Sequence, residues 1–376
     1  MLRRDSAFER DCARRASYLA TRADVATSPN PRVGCVIADA HRIVAEGLFR
    51  RDGGPHAEID ALSRLPPPDD LPRAGLTAFV SLEPCSITGR TPPCADRLVR
   101  EGIGRVVASA LDQTPGVCGE GLARLRRGGV AVGFGLAQDL GYALARPRNV
   151  FATQQRPYTI LKQAVTADGY VGRRGSRVAI TGAIANHLTH QWRAEADAIL
   201  VGVGTFLADA PSLTTRHVAG RDPAVVLYDP RGRLTPKQIS AHFASPANRR
   251  GAPRRIYHAV VGADPVDDAL TDAGFASLAL ERDTPVTSLG RGLHAHRIGR
   301  LLVEGGPVTL AAFAAAGAWD EYRRWRSPSA LPEGPGEPVT AASFAALATS
   351  AGHVGADELT CYVPADRDVC GALKLH

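Results

Sequence analysis

No apolar run in this 376-residue chain approaches the ~20 residues that would span a bilayer, and its start, MLRRDSAFERDCARR, has no signal-like apolar stretch. A membrane protein or an exported one is therefore not expected, and cytoplasm is the expected compartment. Cysteine is sparse. Cys12, Cys35, Cys85, Cys94, Cys118, Cys361 and Cys370 are scattered and odd in number, which suits reduced thiols with a metal-binding subset better than a disulfide framework. Aromatics reach only 6% and the basic residues are dispersed, so the net charge of +7 does not mark a nucleic-acid surface. A phosphate-bearing small substrate accounts for that charge more simply. The chain has no G-x-G-x-x-G fingerprint, which removes the ordinary dinucleotide-binding Rossmann domain, and no internal repeat.

What is present is the composition of a soluble globular protein, 44% hydrophobic and 22% charged, at a length suited to two domains. The first part alternates helical and strand patterns. A helix is expected over 7–23, strands over 33–37 and 43–47, a helix over 56–65 and a strand over 77–82. A helix near 95–101, a strand at 105–109, a helix near 119–127 and a strand at 130–133 follow. Such alternation implies an α/β layer with helices on its faces. A second αβ pattern begins near Arg156, with strands at 158–164, 198–203, 225–228, 256–261 and 301–303 and helices at 187–194 and up to Ala316. The stretch VFATQQR (Val150–Arg156) reads as the linker, and 245–255 and 327–338 read as irregular loops.

The densest chemistry lies in His56-Ala57-Glu58, followed by Pro84-Cys85 and Pro93-Cys94. One imidazole and two thiolates supply three ligands for a tetrahedral zinc and leave a fourth position for water. Zinc makes hydroxide available near neutral pH, and Glu58, a carboxylate that is not a ligand, would shuttle the proton. H-x-E with P-C…C is the signature of zinc-dependent base deaminases. A single residue of this set would read as structural; the whole set, in this order within forty residues, does not. Nucleoside and nucleic-acid deaminases usually show P-C-x2-C, whereas eight residues here separate Cys85 from Cys94.

With SPNPRVGCVI (Ser28–Ile37) and SLEPCSITGRTPPCADRLV (Ser81–Val99), the chain resembles the family of bifunctional riboflavin-biosynthesis deaminase/reductases over essentially its whole length. RPYTILKQAVTADG (Arg156–Gly169), AEADAILVGVGTFLADAPSLTTR (Ala194–Arg216) and LLVEGGP (Leu301–Pro307) look like the family's reductase segments. The resemblance implies an α/β protein: a cytidine-deaminase-like αβα domain over 1–150, then a dihydrofolate-reductase-like α/β domain over 156–376. It implies hydrolysis of the 2-amino group of a 2,5-diamino-6-ribosylaminopyrimidinone 5'-phosphate, then NADPH-dependent reduction of ribosyl to ribityl. By the same resemblance Asn30 and Arg90 contact the deaminase substrate. Asp209 sits by the reacting sugar. Arg193, Leu213, Arg216 and Glu304 belong to the reductase substrate site, and Lys162 and Thr205 to the NADPH site. Gly305 and Gly306 offer backbone N–H groups to the cofactor, as a strand–helix turn can. A homo-oligomer is expected.

Several positions depart from the family's pattern. Phe49 and Ile87 stand where histidines are common, and Arg177 and Ala179 where serine and tryptophan are usual. Asp229-Pro230-Arg231 replaces Asp-Ser-Arg, and the stretch after Asp320-Glu321 is polar and proline-broken where a hydrophobic strand is usual. Two alternatives stay open on this reading. One is a deaminase whose second domain is catalytically silent and serves assembly or substrate handling. The other is a specialised paralogue making a flavin-like, toxoflavin-type product.

Overall fold

The computed structural model describes residues 6–89, 92–176, 178–245, 248, 254–262 and 274–365. The chain divides into two compact units, one within Met1–Gln155 and one within Arg156–Asp368. The first is a five-stranded sheet in the order β2-β1-β3-β4-β5. Its strands are β1 (Gly34–Ala38), β2 (Ile43–Leu48), β3 (Thr77–Val80), β4 (Arg105–Ala108) and β5 (Ala131–Phe134). β1 pairs antiparallel with β2 and β3, whereas β3, β4 and β5 run parallel. The helices are α1 (Ala7–Thr21), α2 (Ala57–Leu62), α3 (Cys94–Arg100), α4 (Glu120–Arg127) and α5 (Gln138–Gln154).

Strand periodicity of two distributes this unit's core. Cys35, Ile37, Ala78, Val80 and Val106 pack with Ala57, Ala61, Leu98 and Leu125 of α2, α3 and α4. Val36, Ala38, Phe79 and Val107 face the other way, onto Cys12, Ala13, Ala16 and Leu19 of α1. The sheet is thus covered on both faces, and every residue of β1 is buried. The helix start of α1 is written in the sequence: Ser6 and Glu9 form a capping box.

The second unit holds a nine-stranded sheet, order β11-β10-β9-β8-β12-β6-β13-β16-β15, and a separate β14-β7 pair. The strands are β6 (Tyr158–Val165), β7 (Tyr170–Arg173), β8 (Ala198–Gly202), β9 (Ala224–Tyr228), β10 (Ile256–Val261) and β11 (Phe275–Leu280), then β12 (Arg300–Val303), β13 (Glu321–Arg326), β14 (Pro338–Thr340), β15 (Ala346–Val354) and β16 (Asp357–Pro364). Pairing is parallel from β11 through β13 and antiparallel through β16 to β15. The helices are α6 (Ala183–Ala194), α7 (Val203–Asp209), α8 (Pro236–Ala244), α9 (Pro285–Ala295) and α10 (Pro307–Ala315). α9 and α10 bury Leu289, Leu293, Leu310 and Phe313 on one face of the sheet; α7 and α8 bury Phe206, Ile239 and Phe243 on the other.

Two expectations are corrected. The segment 150–156 is a linker only at its end: its first five residues complete the seventeen-residue α5, Val150 and Phe151 are buried, and the boundary between the two units falls between Gln155 and Arg156. Gly141, Ala145 and Asn149 form a buried stripe at i, i+4, i+8, which the small residues and Pro147 conceal from a periodicity reading. The stretch after Asp320 does carry strands. β13, EYRRWR, looks polar, but Tyr322 and Trp325 are buried while Arg323 pairs with Glu321 at 2.7 Å and lies 4.6 Å over the Trp192 ring. Paired and stacked arginine stems pack as apolar surface does. The proline-rich 327–337 is irregular, and most of 245–255 lies outside the described residues. No described helix is long and apolar enough to cross a membrane.

Candidate functional site

Three backbone segments bring His56, Cys85 and Cys94 together. His56 is the N-cap of α2, Cys94 is the first residue of α3, and Cys85 lies in the loop after β3. Gly47 sets how closely α2 approaches: a Cβ there would lie 2.0 Å from the Ala57 carbonyl, so β2 and the helix start that carries His56 meet backbone to backbone. His56 Nδ1 is 3.2 Å from Cys94 Sγ and 3.6 Å from Cys85 Sγ, and the Cys94 N–H donates to Cys85 Sγ at 3.3 Å. Zinc–ligand bonds of about 2.0–2.3 Å at tetrahedral angles put neighbouring ligand atoms roughly 3.5–3.8 Å apart. The donor set and its spacing fit that ion. The Cys94 thiol and amide, with His56, hold Cys85 down to about 4, as a thiolate. Cys94 is pushed up by the neighbouring Cys85 and by burial, and His56 is raised by the Cys85 sulfur.

Glu58 sits in the first turn of α2, 4% exposed, and burial raises its carboxyl to about 7 with the Cys85 sulfur adding to the effect. The Phe49 ring packs edge-on to His56 at 5.4 Å, whereas Ile87 is 57% exposed. Asn30 donates from Nδ2 to Asp52 Oδ1 at 2.8 Å, tying its turn to the segment that leads into His56. Asp52 was not among the expected residues, and nothing in its sequence context distinguishes it. Arg90 and Arg177 lie outside the described residues.

In the second unit, Glu304 follows β12 and accepts from Arg193 Nε at 2.7 Å and Nη2 at 2.8 Å, with Lys162 Nζ of β6 at 3.9 Å. Arg193 Nη1 also donates to the Thr214 carbonyl at 3.1 Å. Burial alone would raise Glu304, but the Arg193 charge and hydrogen bonds, with Lys162, hold it at about 2. Gly305 and Gly306 lead into α10; a Cβ on Gly305 would meet Thr309 Cβ at 2.7 Å, and one on Gly306 would come within 3.2 Å of Thr205 Oγ1. Thr205 and Asp209 both lie on α7. Leu213 is buried with φ +53°, and its carbonyl and that of Ser212 accept from Arg254 at 2.8 Å each. Arg216 is exposed, 3.4 Å from Ser212 Oγ.

Sequence reasoning passed over His190, Arg254 and Glu83. His190 is buried, held down to about 4 by burial and by Arg193 and Arg216, and its ring stands edge-on to His217 at 4.5 Å. The Asp229-Pro230-Arg231 departure has a local reason. Gly232 N–H donates to Asp229 O at 3.0 Å, so Pro230 takes the second position of a turn, where no N–H is needed.

Comparison with known proteins covers both units. Residues 7–110 match the family model described as the cytidine and deoxycytidylate deaminase zinc-binding region, and residues 157–341 match the RibD C-terminal domain. Riboflavin biosynthesis protein RibD of Aquifex aeolicus is 34% identical over 310 residues, 82% of this chain and 83% of its own. That of Escherichia coli K12 is 35% identical over 327 residues, 84% and 87%. The chain belongs to the RibD family. Two solved structures share the fold over nearly the whole length. Acinetobacter baumannii RibD superposes with a TM-score of 0.80 at 29% identity, covering 95% of this chain and 99% of that one. A Thermotoga maritima diaminohydroxyphosphoribosylaminopyrimidine deaminase/5-amino-6-(5-phosphoribosylamino)uracil reductase gives 0.78 at 29%, covering 94% and 98%. The RibD assignment carries the expected α/β architecture with it, a deaminase-like unit followed by a reductase unit.

Proposed function

We propose that this RibD-family chain is a bifunctional enzyme of riboflavin biosynthesis, a zinc-dependent pyrimidine deaminase over 1–150 joined to an NADPH-dependent reductase over 156–376. The observation that carries it is the His56–Cys85–Cys94 triad beside a buried Glu58, on a chain matching bifunctional relatives along its length. The substrate is a phosphorylated diaminopyrimidinone riboside, the compartment cytoplasm and the assembly a homo-oligomer.

In the first unit His56, Cys85 and Cys94 hold the metal, which when bound lowers the pKa of its water enough to supply hydroxide near neutral pH. Glu58 accepts the proton on a carboxylate oxygen and returns it to the departing amine. Asn30, oriented by Asp52, and Arg90 hold the substrate. Phe49 keeps the His56 imidazole edge-packed and excludes water from that side.

In the second unit NADPH, when bound, supplies the reducing equivalent. Gly305 and Gly306 present amides at the N-terminus of the nine-residue α10, where cofactor phosphate is favoured; Gly305 lets the turn pack against Thr309, and the missing Cβ of Gly306 leaves room beside Thr205. Lys162, with Arg193, keeps Glu304 ionised, Leu213 and Arg216 line the substrate side, and Asp209 faces the sugar. The deaminase-only alternative is not favoured, because the RibD C-terminal domain model matches 157–341.

The test is mass spectrometry of the diaminopyrimidinone ribosyl phosphate incubated with zinc-loaded protein, with and without NADPH. Exchange of an amino group for oxygen, followed only with NADPH by uptake of two hydrogens, is expected. Deamination that NADPH never extends would leave the second unit without its role.

A further inference from the structure

Eight residues separate Cys85 from Cys94. A spacer of that length does not by itself hold two sulfurs one tetrahedron edge apart, because a longer loop retains more conformations than a two-residue one. The span has to be fixed from outside the loop, and helix α4, which carries no ligand, touches both cysteine segments.

Glu83, two residues before Cys85, is 4% exposed and directs its carboxylate at the start of α4. Its Oε1 accepts from the N–H groups of Gly121 at 2.8 Å and Leu122 at 3.3 Å; Oε2 accepts from Gly119 at 2.9 Å and Asp112 at 3.3 Å. The Gly119, Gly121 and Leu122 amides are those that a helix N-terminus leaves without intrahelical partners, and an anion is favoured there; the Asp112 amide comes from the preceding loop. On the other side of Cys85, the Ser86 carbonyl accepts from Arg124 Nη1 of α4 at 2.6 Å. The same guanidinium pairs through Nε with Asp96 Oδ1 at 2.5 Å, and Asp96 lies two residues after Cys94 on α3. At the crossing sits Gly121, where a Cβ would lie 2.0 Å from the Pro84 carbonyl. The two cysteine segments also join directly, Ala95 N–H to Cys85 O at 3.2 Å.

We infer that Glu83 and Arg124 are positioning residues that set the separation of Cys85 and Cys94, so that α4 governs how tightly and in what geometry the metal is held. Glu83 fixes the loop before Cys85, and Arg124 clamps the loop after it to the helix that carries Cys94. An exposed ion pair alone would contribute little. Arg124 differs in that one planar guanidinium joins two ligand-bearing segments at once, a geometry lysine cannot reproduce. The inference rests on the zinc-centre reading above.

The test uses the full chain loaded with zinc. Zinc affinity is measured by competition with a chromogenic chelator, and the cobalt-substituted protein is read by its sulfur-to-cobalt and ligand-field absorption bands. Parent, Arg124→Met, Arg124→Lys, Glu83→Gln and Leu125→Ala are compared, the last removing a buried α4 core contact without touching the brace. Arg124→Met and Glu83→Gln are expected to weaken zinc about 10–100-fold and to shift the cobalt bands, with Arg124→Lys recovering part of the loss. Leu125→Ala should lower the melting temperature while keeping both metal readouts near parent. Should Glu83→Gln fail to fold, the arginine pair carries the test. Arg124→Met with parental affinity and spectrum overturns the brace, as does Leu125→Ala losing zinc to the same extent. A parent chain that binds no zinc, or a Cys85→Ser variant that still binds it fully, overturns the zinc-centre reading instead.

Discussion

Glu58 and Glu304 are both buried carboxylates, and their surroundings separate them. Glu58 has burial and a neighbouring sulfur acting together, and is pushed up to about 7; Glu304 has two cations overriding burial, and is held at about 2. The first environment suits a group that must take and return a proton, the second a fixed charge. Glu58→Gln should therefore retain zinc by metal analysis and lose deamination by roughly 10²–10⁴-fold in kcat; unchanged turnover would remove its role. Glu304 lies below its ordinary value of 4.5, so it contributes stability that is fully present above that pH and is lost as pH falls from about 4.5 toward 2. The contribution is on the order of 3 kcal/mol. Glu304→Gln should be less stable near neutrality, where Arg193 and Lys162 lose their partner, and should lose less on acidification. Urea unfolding across that window checks this, and parallel pH curves for the two proteins would refute it. His56, Glu58, Cys85 and Cys94 were legible because their chemistry is rare and their spacing close. His190, Glu83 and Arg254 were not, because a buried histidine or a paired carboxylate looks like any other until its partners are known.

α1 and β1 were readable to within two residues, whereas α8, with a capping box at Thr235 and Gln238, was not read at all. α1 shows itself by an apolar face of Ala13, Ala16, Leu19 and Ala20, and β1 by a continuous apolar run. α5 and β13 were hidden for opposite reasons. α5 buries small residues that carry little apolar signal, and β13 buries its polar residues in pairs and stacks. Burial by partnership leaves no trace in a hydrophobicity pattern. α5 ends at Gln155, an exposed residue with φ +51°, where glycine is the usual occupant. Gln155→Gly should remove that left-handed strain and stabilise the protein by roughly 1 kcal/mol, read as a higher denaturation midpoint by circular dichroism. A lower midpoint would mean that the glutamine side chain contributes more than its backbone costs.

At the scale of the whole molecule, each unit gathers its own cluster of ionisable groups, the His56–Cys85–Cys94 triad in the first and the Lys162–Glu304–Arg193 ion pairs in the second. Stripping zinc with a chelator should abolish deamination and leave NADPH oxidation on already deaminated substrate within about twofold, since zinc acts through its own ligands. Loss of both activities on chelation would contradict that division. The sequence by itself determined the two-part αβ alternation, the zinc ligands and the likeness to deaminase/reductases, because these rest on local periodicity and on residue types that few other structures require together. Only the tertiary structure decided that β13, β16 and β15 extend the second sheet, that Arg193 is committed to Glu304, and that α4 meets both cysteine segments through Glu83 and Arg124. Those outcomes depend on pairings between residues distant in the chain, and a pairing has no signature in either partner alone.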